Sequence, residues 1–475
     1  MHTDRSIPRP ARPQNHEPAG RGPFGSVPTI WIAVPAPPGR GRDPFLTPTR
    51  APARPVATGC DRLPYDLRVE SHATAALEPG RRAPIALIGY CTFLLLGWTG
   101  LLVPSLIRSV EHDLAQTDAG MAVFYLLYSL LYAAGSLFGG FVIERVGRRA
   151  ALTACGFLAA VGLLGMTAFG DWLPFVVASL LTATGSGGLD GGVNGLFLAL
   201  FERTRSGVLN LLHLFFSLGA LLAPLVIGQL VDAGAPWRAI VGASALFALV
   251  IGGLLASQRM PSGIRAGHDP DRTAPSVPSD RRRSLVPFAA LAAAIAFYVA
   301  SEIGVSSWLV RYLADAPLSV ATLALSLFWG GLTVGRLVSA AVADRFDAVM
   351  LAIASSIIAA IGLIAAVLSP SLPLAVALFA IGGFGLGPVY PLIMAIGGSL
   401  YPRRLAAVSG TLGASAVAGS IVYPPLMGFV SVGFGLGVGM LGTGLLGFAT
   451  AAALLAATAS RRRAAIGPAS SERAS

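Results

Sequence analysis

The chain has 475 residues, of which 54% are hydrophobic and only 12% are charged, and its formal net charge is +11. Charged residues make up about 25% of an ordinary soluble protein, so this composition excludes that class and favours a membrane protein. The basic residues lie between apolar segments instead of on one folded surface, which excludes an ordinary nucleic-acid-binding domain.

Residues 1–84 are rich in Pro, Arg and Gly and contain no apolar run long enough to cross a bilayer. This composition predicts a disordered tail. The stretch from Thr29 to Pro35 is too short, and too interrupted by proline, to form the core of a signal peptide. A second interpretation is that translation starts near Val69 and that the preceding codons are not expressed.

Apolar stretches of about twenty residues follow, without the alternation of barrel strands, and they predict transmembrane helices. The twelve predicted spans are residues 85–107, 119–143, 150–169, 172–201, 207–231, 237–257, 286–312, 319–343, 348–369, 372–398, 405–430 and 434–459. We therefore predict an all-α membrane protein with two six-helix halves, at residues 85–257 and 285–460. A polar linker at 258–284 joins the halves, and a tail at 461–475 follows them.

The arginines predict the orientation of the chain. Most of them follow the even-numbered spans, whereas the opposite loops carry Arg108, Arg238 and Arg311 and little else. By the positive-inside rule, both termini, the linker and the tail are cytoplasmic. We expect a multi-pass protein of the bacterial cytoplasmic membrane, in contact with the lipid bilayer, for which a monomer suffices.

Two loops repeat a pattern of acidic and basic residues. The loop after the second span reads Gly140-Phe-Val-Ile-Glu144-Arg145-Val-Gly147-Arg148-Arg149. The eighth span contains Gly335-Arg336 near its end and closes with Ala343-Asp344-Arg345. Glu144 and Asp344 are 344 − 144 = 200 residues apart, the spacing expected if six membrane helices had been duplicated.

The first loop resembles the Gly-x-x-x-Asp-Arg-x-Gly-Arg-Arg/Lys motif of the major facilitator superfamily, with Glu144 in place of Asp. This resemblance covers about residues 85–460 and implies the major facilitator fold and alternating access. It also implies a cytoplasmic gate, in which carboxylates and guanidinium groups pair at helix ends. The predicted gate residues are Gly140, Glu144, Arg145, Gly147, Arg148, Arg149, Arg336, Asp344 and Arg345. A structural alternative is that the arginines only fix the topology.

Four further segments resemble the fucose–proton symporter group and its bacterial sugar-transporter relatives. They are Gly185-Ser-Gly-Gly-Leu-Asp190-Gly-Gly-Val-Asn194, Asn210-Leu-Leu-His213 with Pro224, Tyr298-Val-Ala-Ser-Glu302 with Trp308, and Gly385-Leu-Gly-Pro388-Val-Tyr390-Pro391. The resemblance implies a proton-coupling carboxylate at Asp190. That group commonly has an acid in its first span, where this chain has Trp98 and Thr99, so facilitated or exchange transport is an alternative.

Polar residues within the spans are the candidate site. An ionised carboxylate there costs about 2.5 to 3.5 kcal/mol on insertion scales, so Asp190 and Glu302 predict a cavity or a partner. Asn194 follows Asp190 by one helical turn, and Tyr298 precedes Glu302 by one turn. Structural alternatives are a hydrogen bond between helices for Asp190, packing against Asn210 for His213, and an anchor at the membrane surface for Trp308. We assign proton coupling to Asp190, Glu302 and His213, and solute binding to Asn194, Asn210, Tyr298, Glu302, Trp308 and Tyr390.

These features predict a secondary transporter of a small hydroxylated solute, with a sugar as the leading candidate, that uses the proton gradient and no cofactor. The three cysteines have no metal-ligand spacing, and the chain lacks a nucleophile elbow and a Walker loop, so we do not expect an enzyme or a metal site. One alternative is a proton-coupled exporter of drugs or metabolites, because Gly219 to Pro224 resembles the glycine-proline element in the fifth helix of antiporters. Another is a membrane receptor or scaffold that does not transport.

Overall fold

The computed structural model describes residues 79–201, 205–260, 281–343 and 345–466. These residues form helices and no strand, and twelve helical segments are long and apolar enough to cross a membrane, which confirms the predicted fold class. The helices are α1 (Pro79–Asp113), α2 (Asp118–Val146), α3 (Arg148–Ala168), α4 (Trp172–Leu200), α5 (Arg205–Asp232), α6 (Trp237–Ser257), α7 (Arg281–Tyr312), α8 (Leu318–Val342), α9 (Ala348–Val367), α10 (Leu372–Leu386), α11 (Val389–Leu400), α12 (Leu405–Phe434) and α13 (Leu436–Ile466).

Three helices extend beyond the predicted spans into segments that were predicted to be a tail or a linker. Helix α1 begins inside the predicted tail, α7 begins inside the predicted linker, and α13 extends into the predicted C-terminal tail. Residues 1–78, 261–280 and 467–475, on which the rest of those predictions fall, lie outside the described residues.

The two halves are structural repeats with a spacing of 200 residues. Helices α8, α9, α10 and α12 each begin 200 residues after α2, α3, α4 and α5, respectively. Close helix contacts repeat with the same spacing. Gly185 of α4 lies against the backbone of Cys155 and Ala159 in α3, and Gly385 of α10 lies against Ser355 and Ala359 in α9. The spacing that links Glu144 to Asp344 therefore also relates helices and their packing.

Two local features of the sequence shape the helix ends. Gly147 has a φ of +86° and separates α2 from α3, a backbone conformation that residues with a Cβ rarely adopt. In the tenth span, the chain divides into α10 and α11 at Gly387 and Pro388, whose backbone angles stay in the helical region. Proline has no N–H, so it interrupts the helical hydrogen bonds at this position. The break places Tyr390 at the start of α11.

The halves meet where α5 packs on α8, α12 on α2, and α1 on α7. At one end of this interface, Arg108 of α1 donates hydrogen bonds to the carbonyl oxygens of Val310, at 3.0 Å, and Ala316, at 2.8 Å. It also donates to the carbonyl oxygen of Leu313. A guanidinium from one half thus satisfies carbonyl groups that the end of α7 leaves without a helical partner.

An ionic cluster lies beside these contacts. The Arg311 Nε atom of α7 is 2.7 Å from Glu111 Oε2 at the end of α1 and 3.0 Å from Asp118 Oδ1 at the start of α2. The Ser431 hydroxyl of α12 donates to Asp118 at 2.8 Å. We call this region, formed by Arg108, Glu111, Asp118, Arg311 and Ser431, the closed end.

The opposite end holds the α2–α3 and α8–α9 loops, and we call it the open end. Glu144 and Arg145 are exposed there in the first half, and Arg345 is exposed in the second half. His213 and Asn210, near the start of α5, are also exposed.

Candidate functional site

Asp190 and Asn194 form the first part of the site, on α4. The Asn194 Nδ2 atom donates a hydrogen bond to Asp190 Oδ1 at 3.0 Å, the contact expected for residues one helical turn apart. The phenol of Tyr132, on α2, lies beside the same carboxyl group. Asp190 thus has one partner on its own helix and one on a neighbouring helix, and the second was not predicted from the sequence.

Glu302 and Tyr298 form the second part, on α7. Glu302 is 7% exposed, and its Oε2 atom accepts a hydrogen bond from the Tyr298 hydroxyl. The Tyr390 ring of α11 lies 6.1 Å from the Tyr298 ring, between centroids. The Ser306 hydroxyl donates to the Glu302 carbonyl oxygen at 2.7 Å, so its hydrogen bond stays within α7.

Arg336 joins this second part to the other half of the protein. Its Nη2 atom is 4.0 Å from Glu302 Oε2, and its Nη1 atom donates to the Ser217 hydroxyl of α5 at 3.1 Å. We predicted Arg336 as part of the cytoplasmic gate, because it precedes Asp344 by two turns. In this conformation its guanidinium lies beside Ser217 and Glu302, and its role in a gate stays a prediction. Helical side chains point toward the helix N-terminus, and this direction carries the guanidinium away from the loop toward Glu302.

His213 and Asn210 lie on the open-end side of Arg336. The His213 ring packs edge-on against Phe93 of α1, with 5.5 Å between centroids, and Arg336 is the charged group that acts on it. This position lies between the open end and the centre of the interface. It is compatible with the predicted relay of protons, which stays a prediction.

Trp308 lies elsewhere. It is fully buried, its Nε1 atom donates to the Pro424 carbonyl oxygen at 2.8 Å, and its ring is 5.5 Å from that of Tyr125. The Tyr125 hydroxyl in turn donates to the Ser307 carbonyl oxygen at 2.9 Å. Trp308 therefore packs between the halves on the closed-end side, and the alternative of an anchor at the membrane surface is wrong.

The predicted gate residues of the first loop are not gathered into one cluster. The Arg145 guanidinium stacks on the Phe141 ring at 4.3 Å, and Arg149 donates to the Ala256 carbonyl oxygen at 2.8 Å, at the end of α6. Glu144 is exposed, and a side chain at Gly140 would meet no atom within 4 Å.

Arg148 differs from its neighbours, because its Nε and Nη1 atoms are buried without a hydrogen-bond partner among the described residues. In the second loop, Arg345 is exposed and Asp344 lies outside the described residues. A gate made by these loops remains a prediction.

The site has groups for two tasks. Asp190 and Glu302 are acids that can exchange protons, one in each half, while the Asn194 amide and the Tyr390 phenol can bind hydroxyl groups. Asp190 and Tyr390 are 200 residues apart and occupy equivalent places in the two repeats, within electrostatic range of each other. The described residues contain no group of His, Cys, Asp and Glu side chains that could hold a metal ion.

Several of these residues escaped the sequence analysis. Ser217 follows His213 by one helical turn, and this spacing was the available signal for it. Arg108 and Arg311 were noted only as exceptions to the distribution of arginines, yet an arginine in an otherwise arginine-poor loop is itself a signal of a specific partner. Tyr132 had no signal in the sequence, because its contact joins two helices.

Comparisons of the sequence with known proteins find similarity to membrane transporters. The family profile described as Major Facilitator Superfamily matches residues 85–316. The chain is 28% identical over 401 residues to a gentisate transporter of Corynebacterium glutamicum, with 79% of this chain and 86% of that protein covered. It is 25% identical over 279 residues to the glucose/mannose transporter GlcP of Bacillus subtilis, with 55% and 66% covered.

Solved structures share the fold. A bacterial homolog of the human lysosomal transporter Spinster, in an inward-facing and occupied conformation, superposes with a TM-score of 0.61 at 16% identity and covers 82% of this chain and 97% of its own. A D-xylose-proton symporter gives 0.62 at 16% identity and covers 79% and 97%. The fold is thus the major facilitator fold. By the family profile and the curated relatives, the chain is similar to transporters of the major facilitator superfamily.

Proposed function

We propose that this protein is a secondary transporter that moves a small hydroxylated solute, with a sugar as the leading candidate, across the cytoplasmic membrane by alternating access coupled to protons. The observation that carries the proposal is the placement of Asp190 and Glu302. One acid lies in each half of the protein, near the middle of the interface, and both face groups suited to hydroxyl recognition. Intramembrane carboxylates of this kind commonly mark ion and solute pathways.

Alternating access gives the two ends of the interface opposite roles. The arginine-rich loops of the open end are cytoplasmic by the positive-inside rule, so this conformation faces inward. The contacts of Arg311 with Glu111 and Asp118 block the outer side. Rocking of the two repeats breaks those contacts and brings the first loop, with Glu144 and Arg145, toward the second.

The kind of solute is supported by several observations. Asn194 and Tyr390 offer an amide and a phenol from opposite halves, which suits hydroxyl groups on two sides of a small ring. The resemblance to GlcP and to the D-xylose-proton symporter supports a sugar, whereas the gentisate transporter supports a hydroxylated aromatic acid. A sugar and such an acid share hydroxyl groups, and the site offers partners for these.

The proposal is tested by recording proton movement in proteoliposomes that are challenged with a panel of sugars. We expect one or more sugars to drive proton movement with the unaltered protein, and we expect Asp190→Asn to abolish it while exchange of labelled sugar persists. The matched control is Thr184→Val on the same helix, whose hydroxyl donates only to the Leu180 carbonyl oxygen at 2.8 Å. A protein in which neither these sugars nor a second panel of hydroxylated acids drives proton movement, or one that moves protons equally well without Asp190, would refute the proposal.

A further inference from the structure

Arg336 is a cation in the middle of the membrane with an incomplete set of partners. A guanidinium carries five N–H donors and matches a carboxylate with two parallel hydrogen bonds. Here Arg336 has hydrogen bonds with two neutral side chains, the Ser217 hydroxyl at 3.1 Å and the Tyr298 phenol, and the distance of 4.0 Å to Glu302 Oε2 is too long for a hydrogen bond. The Arg336 side chain is 28% exposed. With two neutral oxygen partners for five N–H donors, the guanidinium retains donors for a further acceptor.

Glu302 has a partner that does not depend on Arg336. Its Oε2 atom accepts a hydrogen bond from Tyr298, one turn earlier on the same helix. A protonated Glu302 keeps this neighbour and loses its negative charge, which leaves Arg336 without a counter-ion. An unpaired charge within the membrane is costly, so the vacant position beside Arg336 then favours another anion.

We propose that the solute is a hydroxylated monocarboxylate, whose carboxylate replaces Glu302 as the counter-ion of Arg336 while Glu302 takes up one proton. This inference rests on the proposed function and narrows its solute. The charges balance, because one proton neutralises the Glu302 carboxylate and one solute carboxylate restores the negative charge beside Arg336. Uptake of the anion is thereby linked to uptake of a proton at the same site.

The surroundings of Glu302 support this assignment. The charged and titratable groups that face it are Tyr298 on α7, Arg336 on α8 and Tyr390 on α11. Helices α1, α12 and α13 also pack on α7, and in their membrane-spanning parts the described residues include no charged side chain apart from those at the helix ends. In the other half, Asp190 acts electrostatically on Tyr390, and the charge of Arg336 acts on His213. No second cation in this part of the described chain competes with Arg336 for an anion.

The test measures binding of four probes to the purified full-length protein by isothermal titration calorimetry, at mildly acidic and mildly alkaline pH. The probes are gluconate and 2,5-dihydroxybenzoate, with glucose and hydroquinone as their neutral counterparts. We expect one acid to bind, and to bind more weakly at alkaline pH, where Glu302 occupies Arg336. Binding of gluconate would indicate a sugar acid as the solute, and binding of 2,5-dihydroxybenzoate would indicate an aromatic acid.

Variants distinguish replacement of Glu302 by the solute carboxylate from a general electrostatic effect. Arg336→Gln should weaken binding of the acid by about tenfold or more, which is the loss of one charge-assisted hydrogen bond. Glu302→Gln imitates the protonated acid, so it should bind the anion equally well at both pH values. Arg336→Lys keeps the charge without the paired donors and covers the case in which Arg336→Gln does not fold. Arg238→Gln, at the closed end, is the matched arginine control.

Two results would overturn the inference. If glucose binds equally well to Arg336→Gln and neither acid competes with it, the solute is not an anion held by Arg336. This result would refute the inference and leave the proposal of sugar transport intact. Binding of an acid that is unaffected by Arg336→Gln would show that another group holds the carboxylate. If none of the four probes binds, this inference is rejected, and the proposed function is rejected in addition when no sugar and no hydroxylated acid drives proton movement in the proteoliposomes.

Discussion

The two intramembrane acids have neighbours of different kinds. Asp190 is held by an amide and a phenol, both neutral, whereas Glu302 is held by a phenol and faces a guanidinium. Neutral donors stabilise a carboxylate without cancelling its charge, so Asp190 depends on hydrogen bonds and Glu302 depends also on the charge of Arg336. The acids are therefore not interchangeable, and substitutions around them should have separable effects.

Replacement of Asn194 by Leu tests the role of the hydrogen bond to Asp190. Leucine has a similar volume but no donor, and a hydrogen bond to a charged group contributes about 1.5 to 3 kcal/mol. We expect solute-driven proton movement to fall by about tenfold, since about 1.4 kcal/mol corresponds to that factor. Exchange of labelled solute should also slow, because the same amide is proposed to bind a solute hydroxyl group. Thr184→Val serves as the control, and equal rates for the two variants would show that Asn194 does not support Asp190.

Helix packing in both repeats depends on glycines at points of close approach. A Cβ at Gly185 would lie 2.5 Å from the Cys155 carbonyl oxygen and 2.6 Å from the Ala159 nitrogen, both backbone atoms of α3. Backbone atoms cannot rotate away as a side chain can, so any side chain here must separate α3 from α4. Asp190 lies on α4 a little beyond this contact, and the contact therefore helps to position the site.

Gly185→Ala should destabilise the protein, even though alanine favours a helix over glycine by about 1 kcal/mol. Overpacking typically costs about 1 to 3 kcal/mol, and a clash with backbone belongs at the upper end. We expect a lower midpoint of thermal unfolding in detergent. Gly195→Ala, on the same helix, is the control, because a Cβ there meets no atom within 4 Å. A Gly185→Ala variant as stable as Gly195→Ala would contradict this account.

Contacts within one helix were predictable from the sequence, and contacts between helices were not. The pairs Asp190 with Asn194 and Tyr298 with Glu302 follow from the helical period alone. The spans follow from hydropathy, and the repeat follows from one spacing of 200 residues. The partner of Arg336, by contrast, depends on how α5 and α8 face each other across the halves. No spacing along the chain encodes that orientation, and the same applies to the partners of Arg311.

The molecule as a whole is held in one conformation by polar contacts at the closed end. These contacts join groups from both halves, and Arg311 is central because one guanidinium compensates two carboxylates, Glu111 and Asp118. The pair formed by Arg238 and Asp113, at 3.1 Å, lies at the same end but within the first half. Removing the first arginine should therefore change the balance between conformations, whereas removing the second should not.

Arg311→Gln should shift the protein toward opening of the closed end, because it leaves two carboxylates close together without their cation. The shift can be measured by maleimide labelling of a Ser307→Cys variant in which Cys60, Cys91 and Cys155 are replaced by Ser. Ser307 is 5% exposed and lies between the halves, where its carbonyl oxygen accepts from Tyr125. We expect labelling to accelerate by about tenfold, equivalent to about 1.4 kcal/mol, and we expect Arg238→Gln to leave it unchanged. Equal labelling in both variants would mean that the apolar packing of α1 on α7 and α12 on α2 keeps this end closed without the ionic cluster.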